Sequence, residues 1–332
     1  MEMQRETRSM YMERNSRSIT TFVLKVNSLI YVVSLFNFAT NEELSFYSRV
    51  AFFLLLLSFL PFSNRVLLVK TRALRVMIPF LVLVFANNIW AFDKNWSLHR
   101  TVGVLFYFSG AYLIYVIFLE EILPINHLLW ALCVSDLVMM ISSLYQFLTL
   151  GAKRVAGLAG NANTYGASTV FICFILYYFY NISRDTKNMF INILIHFSVL
   201  TSVVISGSRQ TLLLALVFYI CMCLDFLIRY KLTLSRIISI ILLTGLILIT
   251  VTAFSQYILA FMYNNIYSLQ RLLLGTQEAS ARIRTELIKI GLNLFVNKPI
   301  FGYGLDNFRP VSGSTYYPHN TYIDLLVSLG IL

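Results

Sequence analysis

Four short polar segments carry most of the chemistry this apolar chain offers. The first runs Arg154-Val-Ala-Gly-Leu-Ala-Gly-Asn161-Ala-Asn163. Small residues there let backbone approach a ligand closely, and the arginine fork suits phosphate oxygens. Its plainer reading is a turn that caps the next helix, with Asn163 as the N-cap. The second, Ser206-Gly-Ser-Arg209, sits between two apolar runs and sets an arginine at a helix start, where the helix dipole favours an anion. An interfacial arginine snorkelling to lipid phosphates explains it equally well. The third lies on an amphipathic helix over Glu278 to Phe295. Wound at 100° per residue, it gathers Ile283, Leu287, Ile288, Ile290, Leu294 and Phe295 on one arc, with Arg282, Glu286, Lys289 and Asn293 opposite. Arg284 falls inside the apolar arc, and a cation there needs a partner: a ligand, or a carboxylate such as Asp306 or Glu278. The last is Pro318-His319-Asn320, where a Gly-rich loop meets an apolar run. An imidazole titrating near neutrality can take a proton or hold phosphate, although a lone histidine is commonly structural.

The elements that must position these groups are membrane helices. Of 332 residues, 58% are hydrophobic and 12% charged, and the apolar runs are close to the roughly 20 residues that cross a bilayer. The class is an all-α, polytopic transmembrane bundle of about ten spans, with no room for a separate soluble domain. Spans are predicted at 20–39, 48–62, 74–91, 101–119, 127–149, 164–182, 189–205, 210–228 and 236–255, with a tenth starting near 320. The corresponding organisation is a cytoplasmic tail at 1–19, a nine-span bundle at 20–255, an extracytoplasmic loop at 256–318 and the start of a tenth span at 319–332. That last run is too short to cross, which predicts a truncated product or a longer natural protein. Thr20 to Ala39 lacks a cleavage signature and reads as a retained span rather than a signal peptide. Cys133, Cys173, Cys221 and Cys223 all lie in apolar runs and read as buried thiols, not as a metal or disulfide site.

Lysine and arginine set the orientation. With the N-terminus inside, inner segments hold thirteen of them and short outer connections six, from Arg49 to Arg209. The acidic loop Glu120 to Asn126 leans the other way. Topology thus accounts for most of the net charge of +11, and no nucleic-acid partner is needed. This orientation gathers the arginine loop, the Ser206–Arg209 turn and the connection leading to His319 on the outer face, where Arg154, Arg209, Arg284 and His319 are expected to converge. There is no Asp-x-Asp pair, no Walker A motif and no HExxH, which disfavours a cytoplasmic nucleotide-dependent enzyme.

In this order the segments resemble the O-antigen ligase and O-antigen/capsular polysaccharide polymerase family of bacterial membrane proteins. The matching text is Arg154…Gly157-Leu-Ala-Gly-Asn161-Ala-Asn163, Ser206-Gly-Ser-Arg209, Arg284-Thr-Glu-Leu-Ile288…Lys298-Pro-Ile-Phe-Gly302-Tyr-Gly304-Leu-Asp-Asn307-Phe, and Pro318-His-Asn320-Thr-Tyr-Ile…Leu329-Gly330. Ala162 stands where the family often has Pro, and Ile288 where an aromatic residue is common. The resemblance implies a glycosyltransferase of C-type membrane architecture in the bacterial cytoplasmic membrane, without metal or other cofactor. Its partners would be an undecaprenyl-diphosphate-linked glycan and membrane lipids, with room for other polysaccharide-assembly proteins. Arg154, Arg209 and Arg284 would bind diphosphate, and His319 with Arg284 would be catalytic. Asn161, Asn163, Gly302, Gly304 and Asn320 would position the loops. Polymerase is preferred to ligase. A transporter or flippase for lipid-linked sugars is the rival of another class, and a purely structural subunit the third option.

Overall fold

The structure, a computed structural model, describes residues 2–41, 43–65, 72–150, 154–183, 189–229, 279–318 and 320–331. Among them the regular structure is entirely helical. The helices are α1 (Glu2–Phe38), α2 (Ser45–Phe59), α3 (Arg72–Ala86), α4 (Lys94–Leu119), α5 (Ile125–Leu150), α6 (Ala162–Tyr177), α7 (Met189–Ser206), α8 (Arg209–Arg229), α9 (Ala279–Asn297), α10 (Phe308–Ser312) and α11 (Thr321–Leu329). Among the described residues, six helical stretches are long and apolar enough to cross a membrane, in α1, α2, α4, α5, α7 and α8. Their lipid-like surroundings show in the surface: Phe22, Phe53, Leu148, Phe190 and Leu200 are each more than half exposed, which a bilayer accommodates and water does not. The chain is a polytopic helical membrane protein.

Element boundaries refine the expected spans. The polar segment at 1–19 is continuous with the first span, since α1 already begins at Glu2. The expected 74–91 span is a helix containing Pro79 that passes into a 3-10 turn at Asn87–Ile89. The 164–182 span ends in a π-helical turn at Tyr178–Ser183. The ninth span, at 236–255, lies outside the described residues.

The chain packs as two compact units. The first comprises residues 1–58 and 124–274; the second comprises 59–123 and 275–332. In the first unit α5, α6 and α7 pack on one another, α1 lies on α5 and α8 on α6, around Leu24, Tyr31, Leu129, Ile172, Leu176, Val199 and Phe218. In the second, α9 and α11 pack together around Leu287, Phe308, Ile323 and Val327. Val84, Leu305 and Leu329 form a second apolar cluster in that unit.

The cysteines divide. Cys133 and Cys173 are buried as expected, but Cys221 and Cys223 are exposed on α8. A two-residue step turns about 200° around a helix, yet α8 has only one narrow packed strip, at Thr211, Ala215 and Phe218. Both thiols fall beside that strip.

Candidate functional site

In the first unit the arginine loop and the Ser206–Arg209 turn come together. Val155 donates its backbone N–H to the Ile205 carbonyl at 3.0 Å, joining the loop before α6 to the end of α7. The end of α1 closes the same region: Thr40 Oγ1 donates to the Ala159 carbonyl at 2.7 Å and Asn41 Nδ2 to the Leu158 carbonyl at 3.2 Å. Two arginines 55 positions apart in sequence therefore stem from adjoining segments at one end of the helices.

Local chemistry shapes both segments. Asn161, not Asn163, caps α6, its side chain accepting from the Asn163 and Thr164 backbone N–H groups at 2.9 and 3.4 Å. Asn163 is thereby released to accept from Arg154 Nη2 at 2.8 Å, which fixes one edge of an exposed guanidinium. The Ser206–Ser208 turn is fully buried rather than surface-lying. Gly207 takes φ 53°, Ser206 Oγ accepts from Ser208 N at 3.3 Å, and Ser208 Oγ accepts from Thr211 N at 3.4 Å. The serines meet the helix ends, and half-buried Arg209 opens α8.

Arg284 belongs to the second unit. On α9 the packed line is Arg284, Leu287, Ile288, Gly291, Leu294 and Phe295, each buried or half-buried, whereas Arg282 is exposed. The expected contrast between the two arginines is present. Ile283 and Ile290, placed on the apolar arc by periodicity, are 40% and 39% exposed. The reason is a narrow contact: a Cβ on Gly291 would collide with Ile323 Cγ2, so α9 meets α11 closely along one stripe. Neither suggested carboxylate is seen paired with Arg284 among the described residues. Asp306 instead accepts from Trp96 Nε1 at 3.1 Å, and Glu278 lies outside the described residues.

His319 also lies outside them. Its neighbour Asn320 caps α11, accepting from Tyr322 N and Ile323 N at 3.0 and 3.2 Å. The glycines before it serve packing. Gly302 has φ 63°, and an added Cβ would meet the Ser328 carbonyl oxygen at 2.5 Å; Gly304 has φ 106° and crosses Ala91. Tyr303 N and Gly304 N donate to the Val327 and Ser328 carbonyls at 2.8 and 3.0 Å, so the loop runs against the end of α11.

Sequence reading missed the polar network around that loop. Asn87, fully buried, accepts from Leu305 N and donates to the Ser328 carbonyl. Asn307 accepts from Asp93 N at 2.7 Å and donates to the Asp93 carbonyl at 3.3 Å. Arg309 lies over the Tyr317 ring at 3.9 Å and the Trp96 ring at 4.7 Å from each centroid, and donates to Tyr317 Oη at 2.6 Å. Burial, with Asp306 nearby, pushes the Tyr317 phenol up and keeps it protonated. The available signal was a pair of asparagines closing an apolar run at 87 and 88. A cavity of about 430 Å³ lies beside the loop, lined by Trp90, Lys298, Pro299, Ile300, Phe301 and Gly302.

Compared with known proteins, residues 194–332 match the family model described as O-antigen ligase. No curated protein and no solved structure matches the chain. Proteins of that family are glycosyltransferase-like and take part in polysaccharide biosynthesis.

Proposed function

We propose that this chain, of the O-antigen ligase family by residues 194–332, is a polysaccharide polymerase. It transfers a glycan from undecaprenyl diphosphate to another lipid-linked repeat on the outer face of the bacterial cytoplasmic membrane, with its N-terminus inside. The observation that carries this reading is the Val155–Ile205 hydrogen bond, which sets the Arg154 loop and the Arg209 turn at one end of the first unit.

A hydroxyl oxygen of the acceptor attacks the anomeric carbon, and the bond from that carbon to the diphosphate oxygen breaks. The lipid diphosphate leaves with the electron pair, and the hydroxyl proton passes to His319. Arg154 and Arg209 neutralise the charge that grows on the leaving group, a task for donors fixed before the reaction starts; Arg284 takes its diphosphate role from the family resemblance. Arg154 suits it because Asn163 already holds one edge of its fork. No metal or nucleotide is assigned a part. The family description favours a ligase as the second reading, in which the acceptor is a surface molecule instead of a lipid-linked repeat.

The test contrasts two neighbours on α9. Arg284→Lys keeps charge but loses the bidentate fork, and is expected to cut polymer formation at least about tenfold. Arg282→Lys, on the exposed side, should be nearly silent. Glycan laddering from a polymerase-null strain complemented with each variant reads the effect, with membrane protein level measured in parallel. Equal laddering removes Arg284 from the site, and loss of laddering together with protein makes it structural. Transfer to a surface acceptor without chain growth establishes the ligase.

A further inference from the structure

The cavity beside the Gly302–Phe308 loop lies within the second unit, and nothing in the proposed transfer uses it. Its volume of about 430 Å³ is in the range of small-molecule pockets. Ile300 and Phe301 form part of the wall, and each is more than half exposed. Trp90 closes against them: its ring meets that of Phe301 edge-on at 5.3 Å between centroids, and its Nε1 donates to the Phe301 carbonyl at 2.7 Å. The carbonyls of Lys298 and Pro299 are also taken, by Gly302 N at 3.2 Å and Ile331 N at 2.9 Å. Among the lining residues one side chain is charged. It is the exposed Lys298, whose ammonium lies 4.7 Å from the centroid of the Tyr303 ring.

Those features select an occupant. A free sugar needs several hydrogen-bond partners, and a wall whose carbonyls are already bonded meets that need poorly. An apolar chain fits the side chains of Ile300, Phe301 and Trp90 without asking for any. At the rim, a lysine ammonium seated on a tyrosine ring by cation–π attraction complements one phosphate. A diphosphate carries more charge than a single lysine meets, and the arginine segments are the ones the proposed transfer assigns to it. Apolar chain and single phosphate together describe a lipid of the bilayer, and the indole beside them is a side chain enriched where bilayer meets water.

We infer that this cavity is a docking site for an anionic phospholipid of the surrounding membrane. Acyl-chain carbons lie against Ile300, Phe301 and Trp90, and the phosphate rests on Lys298. The site does not depend on the proposed transfer.

The test places the full chain in phosphatidylcholine nanodiscs with a small fraction of lipid carrying brominated acyl chains, and reads quenching of tryptophan fluorescence. Brominated phosphatidylglycerol is expected to quench at about fivefold lower mole fraction than brominated phosphatidylcholine, the factor that one lysine contributes toward an anionic lipid. Lys298→Gln should remove this excess, whereas Lys289→Gln, which removes another exposed lysine, should leave it. The chain has three tryptophans, Trp90, Trp96 and Trp130, so Trp90→Phe locates the lipid: it should abolish most of the excess quenching. Unlabelled phosphatidylglycerol should relieve the quenching, and soluble glycerol 3-phosphate should not. Equal quenching by the two lipids, or an excess that survives Lys298→Gln or Trp90→Phe, would overturn the site. Relief by glycerol 3-phosphate would make it a phosphate site without a chain, and stronger relief by a polyprenyl diphosphate than by unlabelled phosphatidylglycerol would give it to the donor; either overturns the phospholipid.

Discussion

The two units spend the same residue types differently. In the first, Asn161 and Asn163 cap a helix start and brace Arg154, whose guanidinium remains exposed. In the second, Asn87 and Asn307 are fully buried and satisfy backbone groups of Leu305, Ser328 and Asp93 in and beside the Gly302–Phe308 loop. An asparagine at an exposed helix end braces a neighbour at the surface, while one buried against a turn without regular structure is committed to backbone N–H and carbonyl groups. Polar residues in the second unit's loop therefore report first on folding, and those at the end of the first unit are the ones the proposed transfer uses.

The strongest way to break this contrast is at Gly302. Its positive φ, and a Ser328 carbonyl oxygen that would lie 2.5 Å from any side-chain carbon added there, leave no room for a methyl group. Gly302→Ala should destabilise the protein by about 4 kcal/mol, the range of severe backbone strain combined with a clash. Lowered yield of folded protein in the membrane and an earlier thermal transition are the expected readings. An unchanged transition would show that the loop does not depend on this crossing.

Asn87→Ala comes next. It strips the partner from Leu305 N and from the Ser328 carbonyl, two buried backbone groups at about 1–3 kcal/mol each. A loss of roughly 3 kcal/mol is expected, together with faster proteolysis within residues 299–308. Arg154→Lys has the smallest effect on stability, below about 0.5 kcal/mol as for an exposed substitution. Its activity in glycan laddering should nevertheless fall several-fold through loss of the fork. A thermal shift as large as that of Asn87→Ala would erase the distinction between the units.

Much of the membrane architecture was readable from the chain. A run of apolar residues near the bilayer's thickness has few alternatives to a helix, because lipid offers its backbone no hydrogen-bond partner; six such stretches stand among the described residues. Arg284 on the packed side of α9 and Arg282 on the exposed side also followed from the 3.6-residue period. That period could not tell how wide the contact is, so Ile283 and Ile290 were expected inside and lie partly exposed.

Sequence by itself determined the helical class, the apolar runs and the residue types of the arginine segments, since all three rest on local composition and spacing. Tertiary structure alone decided which asparagine caps α6, that the Arg154 loop is bonded to the end of α7, and that Asn87 holds the Leu305 and Ser328 backbone. Each of those outcomes depends on a partner far away in the chain, and spacing along a single helix carries no information about which distant group will face it.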